Sequence, residues 1–205
     1  MQLLDYMDAK NMLARYGIKS IDSKYVKSAD EAASFAGSSP IVLKVISDKA
    51  LHKSKAGLVK LNLQDKAEIK KAYNDLAKKA SRLKPYKIIA QKMAKSGIEI
   101  IIGGKTDPQF GKFILIGLGG IYVEAFKDFS LKLCPITKYD AADMIDQLKS
   151  KNVITYNGKD TKKIEELLLK TSKLLIEHKE INELDLNPVI ITEHGYEAVD
   201  IRVLK

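Results

Sequence analysis

Six ionisable residues, Lys44, Glu99, Glu124, Lys132, Asp185 and Asp200, sit inside runs that otherwise read as buried β-strand. An ionised group taken out of water must be paired, must hold a metal, or must face an ion of opposite sign. Several such groups of both signs in one chain point to a shared polar cleft. Cations suit phosphate oxygens, and carboxylates suit a hard divalent cation. Any fold for this chain has to bring strands together around that cleft.

The densest stretch is residues 38–62. Ile41 to Ile46 is apolar and β-branched with Lys44 at its centre, Leu51 to Gly57 is a basic loop holding His52, and Leu58 to Leu63 alternates as a half-buried strand does. Backbone N–H groups in a glycine-bearing loop beside a fixed ammonium suit a phosphate. The competing reading of Lys44 is a side chain that runs along the sheet to water. His52 lies among Lys53, Lys55 and Lys60, which would screen the charge of a phosphoryl group arriving on a neutral imidazole nitrogen. His178 and His194, at a helix end and in a turn, read as structural.

Helical periodicity is expected over 4–16 with Gly17 as its stop, over 28–37 with Ser28 and Glu31 at capping-box spacing, and over 65–83. It is expected again over 139–148 and over 161–177. Strands are expected over 87–93, 98–103, 113–117, 121–126, 131–135, 181–192 and 196–203, the last two joined by a tight turn at His194-Gly195. This is an α/β (α+β) pattern, with a hinge between two lobes near 93–97. The run from Gly117 to Gly120 permits close backbone approach, but no Gly-Lys-Ser/Thr follows, so it is not a P-loop.

Asp185 and Asn187 stand two apart on a strand and therefore face the same way. A hairpin at His194-Gly195 would bring Asp200 onto that face, opposite position 189. Three hard oxygen donors would then converge where Mg²⁺ could be held with waters and phosphates. The competing reading of Asp185-Leu-Asn187 is an Asx turn ending a strand.

Formal net charge is +9 over 205 residues, which favours polyanionic partners. Aromatic residues are not interleaved with the basic ones, which argues against nucleic acid. No apolar run approaches the length of a membrane span, the N-terminus lacks signal-peptide features, and the lone Cys134 fits a reducing, cytoplasmic compartment.

Pro40 to Lys44, Leu51-His-Lys-Ser54 with Gly57 to Leu61, Gly97-Ile-Glu99 with Gly103, Asp107-Pro-Gln-Phe-Gly111, Gly117 to Glu124, Lys127-Asp128 and Asp185-Leu-Asn-Pro188 occur in that order. Together they resemble the ATP-grasp (β) subunit of ADP-forming acetate–CoA ligases, in the NDP-forming acyl-CoA synthetase family, over essentially the whole chain. The resemblance implies two ATP-grasp lobes, residues 1–94 and 95–205, whose helix-flanked sheets clasp a nucleotide. It implies phosphoryl transfer between a phosphohistidine and Mg-ADP/ATP, with Mg²⁺ as cofactor. It also implies a hetero-oligomer with an α subunit that binds CoA and carries the first phosphohistidine.

By the same resemblance His52 is the second, relaying histidine. Lys44 and Lys132 hold phosphates, and the backbone of Gly57, Leu58 and Val59 covers them. Gln91 to Ala94 forms the adenine hinge, Glu99 lies near the ribose, and Asn187 and Asp200 hold the metal with Asp185 in support. Three departures stand out. Leu58 replaces a glycine of the loop, and Lys132 replaces an arginine, losing a bidentate fork. No Gly-x-Arg-Gly element occurs near 152–158. A ligase for another acid of the succinate type, a degenerate regulatory subunit and a nucleic-acid-binding module on the same scaffold are the rival readings.

Overall fold

The computed structural model describes residues 2–47, 57–120, 128–155 and 161–205. They form two compact units: a small one, Ile21–Met93, and a large one, Met1–Ser20 with Ala94–Lys205. Each is an α+β body built on an antiparallel sheet.

In the small unit the sheet order is β1-β4-β2-β3, with β1 Ser23–Val26, β2 Ile41–Ile46, β3 Val59–Leu63 and β4 Lys87–Lys92. The alternation of β2 divides its side chains. Ile41, Leu43 and Val45 enter a core shared with Ile88 and Ala90 of β4, and with Ala32, Ile69, Ala72 and Leu76 of two helices. Those helices are α2 (Ala29–Ala36) and α3 (Lys66–Ala80). Their starts are fixed by the same device. Ser28 and Asp65 accept hydrogen bonds from the N–H groups of Glu31 and Glu68, at 3.1 and 2.8 Å. The two glutamates reach back to the N–H groups of Lys27 and Gln64. The return bond thus falls one residue before the capping residue, a variant of the capping box. Past Ala80, α3 tightens into one 3₁₀ turn, Ser81–Leu83, ahead of Pro85.

The large unit holds α1 (Tyr6–Arg15), β5 (Ile98–Asp107), β6 (Gly111–Leu118), β7 (Phe129–Leu133), α4 (Lys138–Asp146), α5 (Lys151–Ile154), α6 (Thr161–Glu177), β8 (Glu183–Thr192), β9 (Gly195–Ala198) and β10 (Ile201–Leu204). Its sheet runs β10-β8-β5-β6-β7, with β9 continuing the β10 side of β8. Ile100, Ile102, Ile114, Ile116, Leu184 and Leu186 point to one face and are essentially buried. The leucine stripe of α6 is buried there too, with Leu175 so close that a Cβ on Gly104 would lie 2.5 Å from its Cδ1. Thr137 and Asp140 close a reciprocal capping box at the start of α4.

Residues 1–20, grouped by the sequence with the first lobe, are part of the large unit. The reason is non-local. Leu3 bridges Leu204, Gln2 and Lys205 exchange backbone hydrogen bonds at 2.7 and 2.9 Å, and α1 buries Tyr6, Ala9, Met12 and Leu13. Other differences are of extent. β5 runs on to Asp107, the expected strand over 196–203 is two strands, and β1 and α5 were not foreseen. The strand expected over 121–126 lies outside the described residues. No helix among the described residues is long and apolar enough to cross a membrane.

Candidate nucleotide and metal site

Thr192 pairs with Gly195, so the turn between β8 and β9 has two residues. Counting outward, Val189 meets Ala198 and Leu186 meets Ile201, which sets Asp200 against Asn187. Position 189, the expected partner of Asp200, is two residues out. The Asn187 N–H donates to the Asp200 carbonyl at 3.2 Å, and Val199 donates to Pro188 at 2.9 Å. On its other side β8 pairs with β5 in a register that shifts between Ile100–Val189 and Ile102–Leu186. Two residues, Asn187 and Pro188, therefore oppose Ile101: a β-bulge. The burial of β8 changes phase there, from Leu184 and Leu186 to Val189 and Ile191. Bulges re-aim side chains in this way.

Directly opposed residues share a face. Asp185 stands opposite Gly103 and Arg202, so it lies on the face away from α4 and α6, with Asn187 and Asp200 following on the same strand pair. Burial pushes the Asp185 carboxyl up to about 6, the negative charges of Asp200 and Glu183 push the same way, and Arg202 opposes them. Two carboxylates that repel each other beside an exposed amide oxygen form a donor set that a divalent cation would relieve. Among the described residues no group of three or more His, Cys, Asp or Glu side chains could hold a metal alone. The set fits Mg²⁺, which keeps waters and takes phosphate oxygens for the rest of its shell.

Glu99 lies on the same face of β5, two residues before Ile101 and four before Gly103. Its carbonyl accepts from the Gly119 N–H at 2.7 Å. A Cβ on Gly119 would stand 2.9 Å from the Glu99 carbonyl carbon, and one on Gly120 (φ +70°) would stand 2.8 Å from Glu99 Oε2. The glycine run thus seats Glu99, a role that the sequence suggested only as close backbone approach. Arg202 lies across from Asp185 because the two loop residues are Glu193 and His194, one place earlier than the expected His194-Gly195.

In the small unit Lys44 is opposite Ile89 and Val59, and Val42 is opposite Gln91. Lys44, Gln91 and Val59 therefore share the face away from α2 and α3. Lys44 is 6% exposed and Gln91 1%, so the lysine does not run to water. Leu58 turns the other way, into the helix-side core, and its carbonyl accepts from Val45 at 3.0 Å. A side chain in the place of the usual glycine therefore fills core volume. Gly57 has φ +64°. Ala94 begins the large unit, directly after Met93, the last residue of the small one.

Within the large unit, Lys132 does not share a face with Asp185, Asn187, Asp200 and Glu99. Its strand neighbours on the same face are Ile114 and the helix-covered core, and its ammonium pairs with Asp143 at 2.6 Å and Asp140 at 3.3 Å. These carboxylates, Asp143 first, hold the ammonium pKa above its ordinary value. Asp185 faces the opposite side of that sheet. His52 and Glu124 lie outside the described residues.

Residues 1–204 match the family model of an ATP-grasp domain. The chain is 36% identical to the acetate–CoA ligase [ADP-forming] I subunit beta of Pyrococcus furiosus, over 96% of this chain and 89% of that one. It is 38% identical to the acetate–CoA ligase [ADP-forming] I of Archaeoglobus fulgidus over 94% of its length, yet spans only 30% of that longer protein. A solved structure of the Ca. Korarchaeum cryptofilum dinucleotide forming acetyl-coenzyme A synthetase 1 superimposes with a TM-score of 0.85 at 35% identity, covering 98% of this chain and 92% of that one. It holds coenzyme A and Mg-AMPPCP, with a phosphohistidine segment pointing towards the nucleotide binding site. With its two antiparallel sheets and this likeness along its whole length, the chain belongs to the ATP-grasp family, in the group that includes the β subunits of ADP-forming acetate–CoA ligases.

Proposed function

We propose that this chain is the nucleotide-binding subunit of an ADP-forming acyl-CoA (acetyl-CoA) synthetase, passing a phosphoryl group between a phosphohistidine and Mg-ADP. The observation that carries the reading is the oxygen set of Asp185, Asn187 and Asp200 on the sheet face away from α4 and α6. In this reading the two lobes of the fold correspond to the small and large units. Lys44, buried and fixed in the centre of β2, holds phosphate oxygens, with the Gly57 to Val59 backbone beside it. Gln91 to Ala94 borders the adenine and Glu99 the ribose. Bound Mg²⁺ would neutralise charge on the phosphates. Asp200 and Asn187 would hold it, with Asp185 in support. Lys132, engaged by two aspartates, is left out of the phosphate set.

His52 is the relay. Its neutral nitrogen takes the phosphoryl group. On transfer to ADP the P–N bond breaks, a P–O bond to the terminal ADP oxygen forms, and the imidazole takes up one proton. The α subunit, bearing CoA-binding and phosphohistidine domains, completes a cytoplasmic hetero-oligomer. The longer Archaeoglobus relative, of which this chain spans less than a third, supports a partner of that size.

Calorimetry of Mg-ADP and Mg-ATP on the chain tests the cleft. Magnesium-dependent binding lost in Lys44→Ala and in Asp200→Ala supports the reading; retention of binding in both variants would sink it. Replacing His52 by Ala should abolish labelled phosphate on this chain while sparing ADP binding.

A further inference from the structure

The charge of the chain is divided unevenly. Residues 21–93, the small unit, contain sixteen Lys and Arg against seven Asp and Glu, whereas the rest of the chain has nineteen of each. The whole net charge of +9 therefore belongs to 73 residues. Some of it is paired locally: Lys60 and Lys79 share Asp75 at 2.7 and 3.3 Å, and Lys66 meets Asp30 at 3.5 Å. Lys70, Lys71 and Lys78 are different. They project from the solvent side of α3, opposite Ile69, Ala72 and Leu76, and none joins an ion pair among the described residues.

We infer that this excess is an electrostatic funnel that draws an anionic nucleoside di- or triphosphate onto the small unit, with the outer stripe of α3 raising the rate of capture without touching bound nucleotide. The inference rests on the nucleotide binding proposed above. A 73-residue body has a radius of gyration of about 11 Å. The Debye length is about 30 Å at 0.01 M salt and about 10 Å at 0.1 M, so at low salt every charge on the unit acts at its ligand site. Fields of this kind raise association rates while leaving dissociation nearly unchanged. Nucleic acid fits the same charge less well. Tyr25, Phe35, Tyr73 and Tyr86 are each at least partly buried, so the described residues of the unit offer no exposed aromatic platform for bases.

The test is stopped-flow binding of a fluorescent ADP analogue to the whole chain and to Lys70→Glu/Lys71→Glu/Lys78→Glu, which lowers the net charge of the unit from +9 to +3. At about 10 mM ionic strength the association rate should fall about fivefold with dissociation unchanged, and the two proteins should converge within about twofold at 0.5 M NaCl. The Lys→Gln triple variant should fall between them, and it guards against a folding defect in the first. Equal association rates, or a change carried by dissociation instead, would overturn the inference. So would displacement of the analogue by a 20-mer oligonucleotide at micromolar concentration, since the charge would then serve nucleic acid. If the unaltered chain binds no nucleotide, it is the functional reading itself that has failed.

Discussion

Asn187 and Asp200 face each other across two strands, tied by a 3.2 Å hydrogen bond between their backbones at the one bulge between β8 and β5. The bulge and the two-residue turn jointly decide which side chains share the face away from α4 and α6. Replacing Asp200 by Ala removes one oxygen ligand and one source of the repulsion felt by Asp185. Mg-ADP affinity should drop by about tenfold or more, in the range seen when a ligand or its support is removed. Binding of ADP in EDTA should change little. Calorimetry with and without magnesium separates the two.

Gly120 combines a left-handed backbone with a carboxylate 2.8 Å from where its Cβ would be. Gly120→Ala should cost about 1–2 kcal/mol of stability from the backbone alone. It should also weaken nucleotide binding by displacing Glu99. In a Glu99→Ala background the binding penalty should disappear while the stability penalty remains, a double-mutant cycle that thermal melts and calorimetry can close.

Lys132 gives the opposite pattern. Its ion pairs with Asp140 and Asp143 pin β7 to the first turns of α4. Lys132→Met should lower Tm and leave the Kd for Mg-ADP within about twofold, as expected of a side chain remote from the ligand. A large rise in Kd with an unchanged Tm would restore the phosphate role that the sequence suggested.

Glu180, in the connection between α6 and β8, sets a pH signature. The His178 Nδ1–H donates to its carboxylate at 3.0 Å and Lys205 approaches at 3.3 Å, and the carboxyl is held down to about 2. A carboxylate whose pKa is lower in the folded chain stabilises fully above its unfolded pKa, here 4.5, and loses that contribution as pH falls through the folded value. The Tm gap between the chain and Glu180→Gln should therefore be full at pH 6–7 and shrink as pH is lowered from about 4.5 toward 2.

Local signals were legible where the chain states them locally. The leucine stripe of residues 161–177 and the caps Ser28 and Thr137 located their helices closely, and the apolar run of β2 located the buried lysine. What failed depended on residues far away in sequence. The strand over 196–203 is interrupted at Val199-Asp200, opposite Asn187-Pro188, where Pro188 has no N–H to give the ladder. The ligand role of Lys132 rests on the family resemblance, and nothing local in the sequence shows that its strand face is the one a helix covers. The placement of α1 was settled by Leu3 meeting Leu204. The family likeness supplied ligand roles, and the strand register then sorted Lys132 from the rest.

The large unit is discontinuous: its first twenty residues and its last hundred or so are separated by the whole of the small unit. Small units made of one unbroken segment can fold as soon as they leave the ribosome, whereas long-range pairings wait for their partners. Pulse-labelled hydrogen exchange during refolding should protect β2 and β4 before β8 and β10. On a growing chain, Leu3 would be made before any of the small unit and seated only after all of it, since the strand that receives it ends at Leu204.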